Sequence, residues 1–152
     1  MSKYYFKKKD YDARMDSKPA FKRFMCKFFG LMVQLVFNNK VRTQLARSMG
    51  VKIGKNIYIG KYCIIDDTFS DLITIEDNVV ISFGATITAH DASCNKIAPV
   101  VLKKGAFIGA RSIILPGVTL AENSIVGAGS VVTRDVPAGK TVSGCPAKVI
   151  EN

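Results

Sequence analysis

Residues 102–137 read LKKGAFIGARSIILPGVTLAENSIVGAGSVVTRDVP. Every sixth residue from Leu102 onward is aliphatic: Leu102, Ile108, Ile114, Leu120, Val126 and Val132. The same step upstream collects Ile53, Ile59, Ile65 and then Ile75, Ile81, Ile87. The residue after each aliphatic one is often small, as at Gly54, Gly60, Ser82, Gly109, Ala121 and Gly127, and turn formers such as Asp77-Asn78, Pro116-Gly117 and Glu122-Asn123 follow. A period of six is the mark of a repeat architecture. Hairpins would alternate with period two over longer runs, and the recurrence of Gly, Asn and β-branched residues is unfavourable in a helix.

The spacing predicts a mainly β fold, a parallel β-helix. Each hexapeptide supplies a short strand and a sharp corner, three hexapeptides close one triangular coil, and stacking puts the aliphatic columns inside. The coils are expected at 53–70, 75–92, 102–119 and 120–137. Two interruptions break the count, a short insertion at Asp71–Thr74 and a polar loop at Ser93–Val101. A regular core interrupted by a polar loop points to function at that place. The only histidine of the chain, His90, stands at the entrance to this loop. A lone histidine has a plain structural reading, and its position here argues for chemistry.

Charge divides the chain. Residues 1–50 carry twelve Lys and Arg against three Asp, whereas residues 51–152 carry ten against nine acidic residues. The basic character therefore belongs to a segment 1–50, read as a basic tail and an amphipathic helical segment, and not to a β-helical domain at 51–152 with its C-terminal tail. Ser17 offers an N-cap and Pro19 suits a first turn. Phe21, Phe24, Met25, Phe28, Phe29, Met32, Leu35 and Val36 then follow at helical spacing, and a second helical piece runs from Val41 to Ser48. The first helix is too short to span a bilayer. Two roles stay open for it: a cap on the β-helix, which solenoids need, or contact with an anionic membrane surface. Cys26, Cys63, Cys94 and Cys145 have the spacing of neither a zinc site nor a disulfide framework. With no signal core at Met1–Phe6, the expected location is cytoplasmic, at the inner face of the membrane if that helix binds lipid.

The ladder together with the run IGARSIILPGVTLAENSIVGAGSVVTRDVPAGKTVSGCPAKVI (108–150) resembles the hexapeptide-repeat acyltransferases, and within them the sugar and polysaccharide O-acetyltransferases. The resemblance covers about two-thirds of the chain. It implies a left-handed parallel β-helix, a homotrimer, acetyl-CoA as acyl donor, a sugar or polysaccharide acceptor and no metal. The segment ITAHD (87–91) resembles the one that carries the catalytic histidine, which implies that role for His90. Ala110 and Ala128 match small positions along the pantetheine arm, Thr133 and Arg134 a Thr-Lys pair near the cofactor, and Lys148 a basic residue near its phosphates. Phe107 stands where relatives often have a tryptophan beside the active site. The asparagine that binds the acceptor in those relatives is absent; Asp67 and Ser70 are nearby instead, and Asp67 is the expected acceptor contact. Cys145 departs from the usual asparagine before Pro-Ala-Lys.

An imidazole near its free pKa can take the proton of a hydroxyl as that oxygen attacks a thioester. The developing oxyanion needs a donor, for which Gly84 and the loop near Ser93 are candidates. Asp91 follows His90 on an extended strand and points to the other face, so a carbonyl or an acid from another coil is expected to orient the ring. A γ-type carbonic anhydrase would need three histidines and is excluded. A sugar-nucleotide N-acyltransferase and a non-catalytic scaffold remain as rivals. The basic segment carries no nucleic-acid-binding motif, and no nucleic-acid partner is expected.

Overall fold

The computed structural model describes residues 7–17 and 19–150, the side chains at 14 and 15 excepted. The basic, aromatic start at residues 1–6 lies outside the described residues. Twelve two- or three-residue strands build four coils that wind left-handed. The first coil holds β1 (Lys52–Ile53), β2 (Tyr58–Ile59) and β3 (Ile64–Ile65); the second β4 (Ile73–Ile75), β5 (Val80–Ile81) and β6 (Thr86–Ile87). Between coils two and three lies a small antiparallel hairpin, β7 (His90–Asp91) and β8 (Lys96–Ile97). The third coil holds β9 (Val100–Leu102), β10 (Phe107–Ile108) and β11 (Ile113–Ile114); the fourth β12 (Thr119–Leu120), β13 (Ile125–Val126) and β14 (Val131–Val132). A fifth coil begins where Val136 bridges Leu120, and β15 (Thr141–Gly144) adds one more rung before β16 (Ala147–Val149) folds back antiparallel to close it.

The hexapeptide columns become the interior. Ile59, Ile81, Ile108, Val126 and Val142 stack in register along one face and are all buried. Ile53, Ile75, Leu102 and Leu120 stack likewise on the first face, buried except for the partly buried Ile53 at the end, and Ile65, Ile87, Ile114 and Val132 stack buried on the third. Each fully buried aliphatic side chain contributes about 1.5–3 kcal/mol. At the corner between the first and second faces, Asn56, Asn78, Gly105, Asn123 and Gly139 take φ between 55° and 73°. This left-handed conformation suits asparagine and glycine, which is why those two residues recur at that step. Gly109 answers a different need. A Cβ there would come within 2.6 Å of Ala128 N and Val126 O, both backbone. The Gly109→Ala protein is therefore expected to lose about 1–3 kcal/mol from forced displacement of coil four, read as a lower thermal midpoint.

Three helices precede the solenoid: α1 (Lys8–Asp16), α2 (Ala20–Leu35) and α3 (Asn39–Met49). α1 occupies part of the stretch whose composition reads as a solvated tail. Tyr11 accounts for the difference, because it is 4% exposed and ties α1 to the core. α2 starts with Pro19 at its N-cap and no side-chain cap, two residues beyond the Ser17 start that the sequence suggests. α3 is capped by Asn38, which accepts from the N–H groups of Lys40 and Val41, and ends at Gly50 with φ 106°.

The α2–α3 pair caps the open edge of the first coil. Asn39 imitates a neighbouring strand: its Nδ2 donates to Ile57 O at 2.9 Å, and Ile59 N–H donates to its Oδ1 at 2.8 Å. Arg42, 2% exposed, donates to the carbonyls of Ile59 (2.7 Å), Val36 (2.7 Å) and Phe37 (2.8 Å). Arg47 donates to Gly54 O at 2.6 Å. These side chains satisfy the strand edge that a bare solenoid end would leave open for pairing with another chain. The cap role expected for the helical segment is thus built from polar side chains as much as from apolar packing.

Candidate active site

Both interruptions of the ladder open from the same corner, between the third and first faces, in adjacent coils. Ile65 pairs with Ile87, so Asp66 at the start of the first insertion lies beside Thr88 and Ala89 at the start of the second. This register brings together two residues 24 apart in sequence: the Nδ1–H of His90 donates to Asp66 Oδ2 at 2.5 Å. Asp66 is the acid from another coil that the ring requires. Sequence reasoning stops at its neighbour Asp67, although the pairing of Ile65 with Ile87 carries the signal.

Asp66 is held firmly. Its carboxylate also accepts from the N–H groups of Thr68 (3.0 Å), Phe69 (2.9 Å) and Ala89 (2.9 Å), and its side chain is 1% exposed. Burial works to raise this carboxyl, but the bond from His90 and the N–H groups of Phe69 and Ala89 prevail and keep it below the ordinary carboxylate value. An ionised carboxylate only accepts, so Nδ1 carries the hydrogen and Nε2 presents its lone pair. Asp66 in turn raises the His90 pKa against the opposing effect of burial. The buried ring of Phe69 lies 5.5 Å from the His90 ring, and Thr88 Oγ1 donates to His90 O at 2.6 Å. The imidazole is fixed on one nitrogen, and its side chain is 28% exposed.

Asp91 points elsewhere. It accepts from Ser93 N–H at 2.8 Å and Ser93 Oγ at 2.6 Å, which makes it the loop-capping carboxylate. Two N–H groups at the suggested oxyanion positions are engaged within this chain. Ser93 N–H is engaged with Asp91, and Gly84 N–H donates to Lys61 O at 2.9 Å on a different corner. The loop itself is shorter than Ser93–Val101, because His90 pairs with Ile97 and Asp91 with Lys96, and the coil resumes at Val100.

A cavity of about 230 Å³ opens at His90, between Ile64 and Thr86 of the third face and Gly30 and Gln34 of α2, with Asp66 and Asp67 at its wall. Asp67 also borders a larger space of about 510 Å³ with Arg23, Phe24, Lys27 and Thr68. Arg23 is itself paired with Asp16. Behind the site, Tyr11 is buried with its hydroxyl unpartnered among the described residues; burial, reinforced by the charges of Asp66 and Asp91, raises its phenol. No periodic signal marks Tyr11, whose helix has only Ala13 and Met15 as further apolar residues.

The remaining positions lie apart from His90 within one chain. Ala110 and Ala128 are stacked at the corner between the second and third faces, where Gly129 N–H donates to Ala110 O at 2.8 Å. Their own N–H groups take no part in the coil-to-coil ladder, and Ala128 is exposed. Phe107 points out from the second face, 41% exposed, on the side of the prism opposite the His90 corner. Thr133 and Arg134 are exposed on the His90 corner but two coils further along, and Lys148, in β16 opposite Ser143, is exposed at the same end of the solenoid.

This architecture has known counterparts. The pattern described as bacterial transferase hexapeptide (six repeats) matches residues 99–134, and that described as hexapeptide repeat of succinyl-transferase matches residues 50–89. The matches cover 36 and 40 residues, together half of the 152. Galactoside O-acetyltransferase of Escherichia coli K12 is 34% identical over 109 residues, 66% of this chain and 53% of that protein. A 2,3,4,5-tetrahydropyridine-2,6-dicarboxylate N-acetyltransferase of Staphylococcus aureus is 42% identical over 78 residues, 51% of this chain and 32% of the relative. The chain thus spans about half the length of the first of these curated relatives and a third of the second. The fold is that of a hexapeptide-repeat acetyltransferase of Vibrio cholerae solved with acetyl coenzyme A, at a TM-score of 0.73 and 24% identity, covering 90% of this chain and 91% of that one. A six-residue ladder in register over four coils, both repeat patterns and these relatives agree: the chain belongs to the hexapeptide-repeat acyltransferase family.

Proposed function

We propose that the protein transfers an acetyl group from acetyl-CoA to a hydroxyl of a sugar, in a surface polysaccharide or its precursor. The observation that carries this reading is the buried Asp66 carboxylate bound to Nδ1 of a partly exposed His90 that lines a cavity. With Nδ1 so engaged, Nε2 accepts the acceptor's proton as its oxygen attacks the thioester carbonyl. The same imidazolium returns the proton to the departing thiolate, and the charge that it gains in between is balanced by Asp66. Asp67, at the wall of the same cavity, is positioned to receive acceptor hydroxyls as hydrogen-bond donors.

The donor side rests on Ala110 and Ala128. Two small side chains whose N–H groups are unbonded among the described residues, Ala128 exposed and Ala110 partly so, leave backbone open to the amides of a pantetheine arm. Thr133, Arg134 and Lys148 supply hydroxyl and positive charge at the same end for the nucleotide phosphates. Ala110 and Ala128 stand on another edge of the prism than the His90 cavity, and Thr133 and Arg134 share the His90 corner only two coils further along; a homotrimer resolves the separation by setting the donor corner of one subunit, with Phe107, against the His90 corner of the next. In the Ala128→Leu protein the KM for acetyl-CoA is expected to rise about 10–100-fold with little change in kcat, because an inserted side chain costs about 1–3 kcal/mol where the arm must pass. Steady-state kinetics in both substrates check this.

The test of the activity itself is incubation with acetyl-CoA and a panel of sugars, with the product resolved by mass spectrometry. Acetylation of hydroxyl sugars supports the reading, and acetylation of amino sugars alone would replace it with N-acyl transfer, which the 42% identity to an N-acetyltransferase keeps in view. Absence of any transfer, with acetyl-CoA still unbound at millimolar concentration, would leave a scaffold.

A further inference from the structure

α2 is apolar on two opposite sides. At about 100° per residue, Cys26 and Val33 fall together on the side buried against the solenoid. Phe21, Phe24, Phe28, Leu31 and Leu35 fall within a stripe roughly opposite, and each is between 47% and 75% exposed. The stripe continues past the helix in Phe37, 80% exposed, and Val41 of α3. An apolar ridge of this length on the outside of a protein marks a binding surface. No described helix is long and apolar enough to cross a membrane, so insertion across a bilayer is not the use of this one.

Charge identifies the occupant. The exposed Lys27 borders the stripe one turn from Leu31, Lys40 lies on α3 beside Val41, and Lys8 and Lys9 lie on α1; Lys22, also exposed, is on the other side of α2. Lys61 stands over the Phe37 ring at 3.9 Å. The three acidic residues among the first fifty, Asp10, Asp12 and Asp16, leave that segment at +9, whereas the remainder of the chain is at +1. A convex, phenylalanine-rich helix face edged by lysines is the form that seats in the headgroup region of an anionic bilayer: rings enter the acyl boundary and lysine stems reach back to phosphate. We propose that the cap formed by α2 and α3 is a docking surface for an anionic lipid membrane, with the Phe21–Leu35 stripe inserted in its interface. Because α2 also lines the cavity at His90, docking holds the acceptor side of the site next to the lipid surface.

The test uses the full chain with vesicles of phosphatidylcholine alone or mixed with phosphatidylglycerol. Co-sedimentation with the mixed vesicles and not with the neutral ones is expected, weakening as salt rises. The Phe21→Ser/Phe28→Ser/Leu31→Ser protein is expected to keep its thermal midpoint and to lose at least about 100-fold in partitioning, at roughly tenfold for each buried ring withdrawn. A Phe28→Trp variant gives an independent reading, since the chain has no tryptophan of its own. Its emission should shift to the blue with phosphatidylglycerol vesicles and be quenched by brominated lipid. Equal binding to neutral vesicles, unchanged binding by the triple variant, or an unshifted emission from the Phe28→Trp variant would overturn the proposal. So would a self-associated wild type that the triple variant dissolves, which would give the face to a second copy of the chain.

Discussion

In the His90→Ala protein, acetyl transfer is expected to fall about 10²–10⁴-fold in kcat, with acetyl-CoA binding unchanged. The donor positions Ala110 and Ala128 sit on another corner of the same chain, so removal of the imidazole leaves them untouched. The partner experiment is Asp66→Asn. An asparagine amide can donate to Nδ1 and so hold the ring in the wrong tautomer, with Nε2 protonated and no base to offer; a loss on the same scale of about 10²–10⁴ follows. The pH dependence separates the two effects. Asp66 raises the His90 pKa from its ordinary 6.5, and the base works only when neutral. The wild-type rate therefore climbs with pH through a value above 6.5 and then levels. Without the carboxylate the imidazole loses that support, and burial, which lowers its pKa, is no longer offset. The residual activity of Asp66→Asn should then have its acidic limb at lower pH than the wild type. Profiles of kcat/KM against pH for both proteins decide the matter. An unshifted limb would mean that Asp66 only packs the loop.

The Arg42→Ala protein is expected to lose about 3–5 kcal/mol of stability. Among the described residues Arg42 is a buried cation without a carboxylate partner; the carbonyls of Ile59, Val36 and Phe37 solvate it. Truncation leaves those acceptors inside the cap with nothing to replace them, and the stem that packs between α3 and the first coil goes as well. For a chain of this size the loss corresponds to a thermal midpoint about 6–20 °C lower. Arg42→Lys should fall between the two, because a single ammonium cannot serve three carbonyls that the guanidinium reaches as a fork. A further consequence is exposure of the β1–β2 edge, so the alanine variant should aggregate on heating where the wild type does not. A change below about 1 kcal/mol would show that the helical cap holds by apolar packing alone.

The two sites share one physical cause. A β-helix has a periodic interior and therefore no room for polar work inside. Its chemistry has to be placed where the period fails, at its corners and its ends. The corner between the third and first faces fails twice in succession, and this doubles Asp66 onto His90 across 24 residues. The open end of the first coil fails once, and Asn39, Arg42 and Arg47 fill the gap.

Much of this was legible in the residues. The six-residue step in Ile, Leu and Val sets the strands and their inward columns, because a buried position tolerates little else, and it counts four coils correctly. The asparagines at 56, 78 and 123 disclose the left-handed corners. The isolated His90 beside the one long polar interruption discloses where to look for chemistry. What the pattern could not disclose was anything that depends on which residue lies above which once an insertion has shifted the count. The partner of His90 is Asp66 and not Asp67 or Asp91, and only the pairing of Ile65 with Ile87 decides that. The helix α1 has no apolar period to announce it, and its place depends on a single tyrosine finding a buried seat. Arg42 reads as one more charge in a basic segment until the fold closes three carbonyls around it. Periodic burial is a local property that a sequence carries in its own spacing, whereas hydrogen bonds between coils belong to the stacking, and only the tertiary structure decides them.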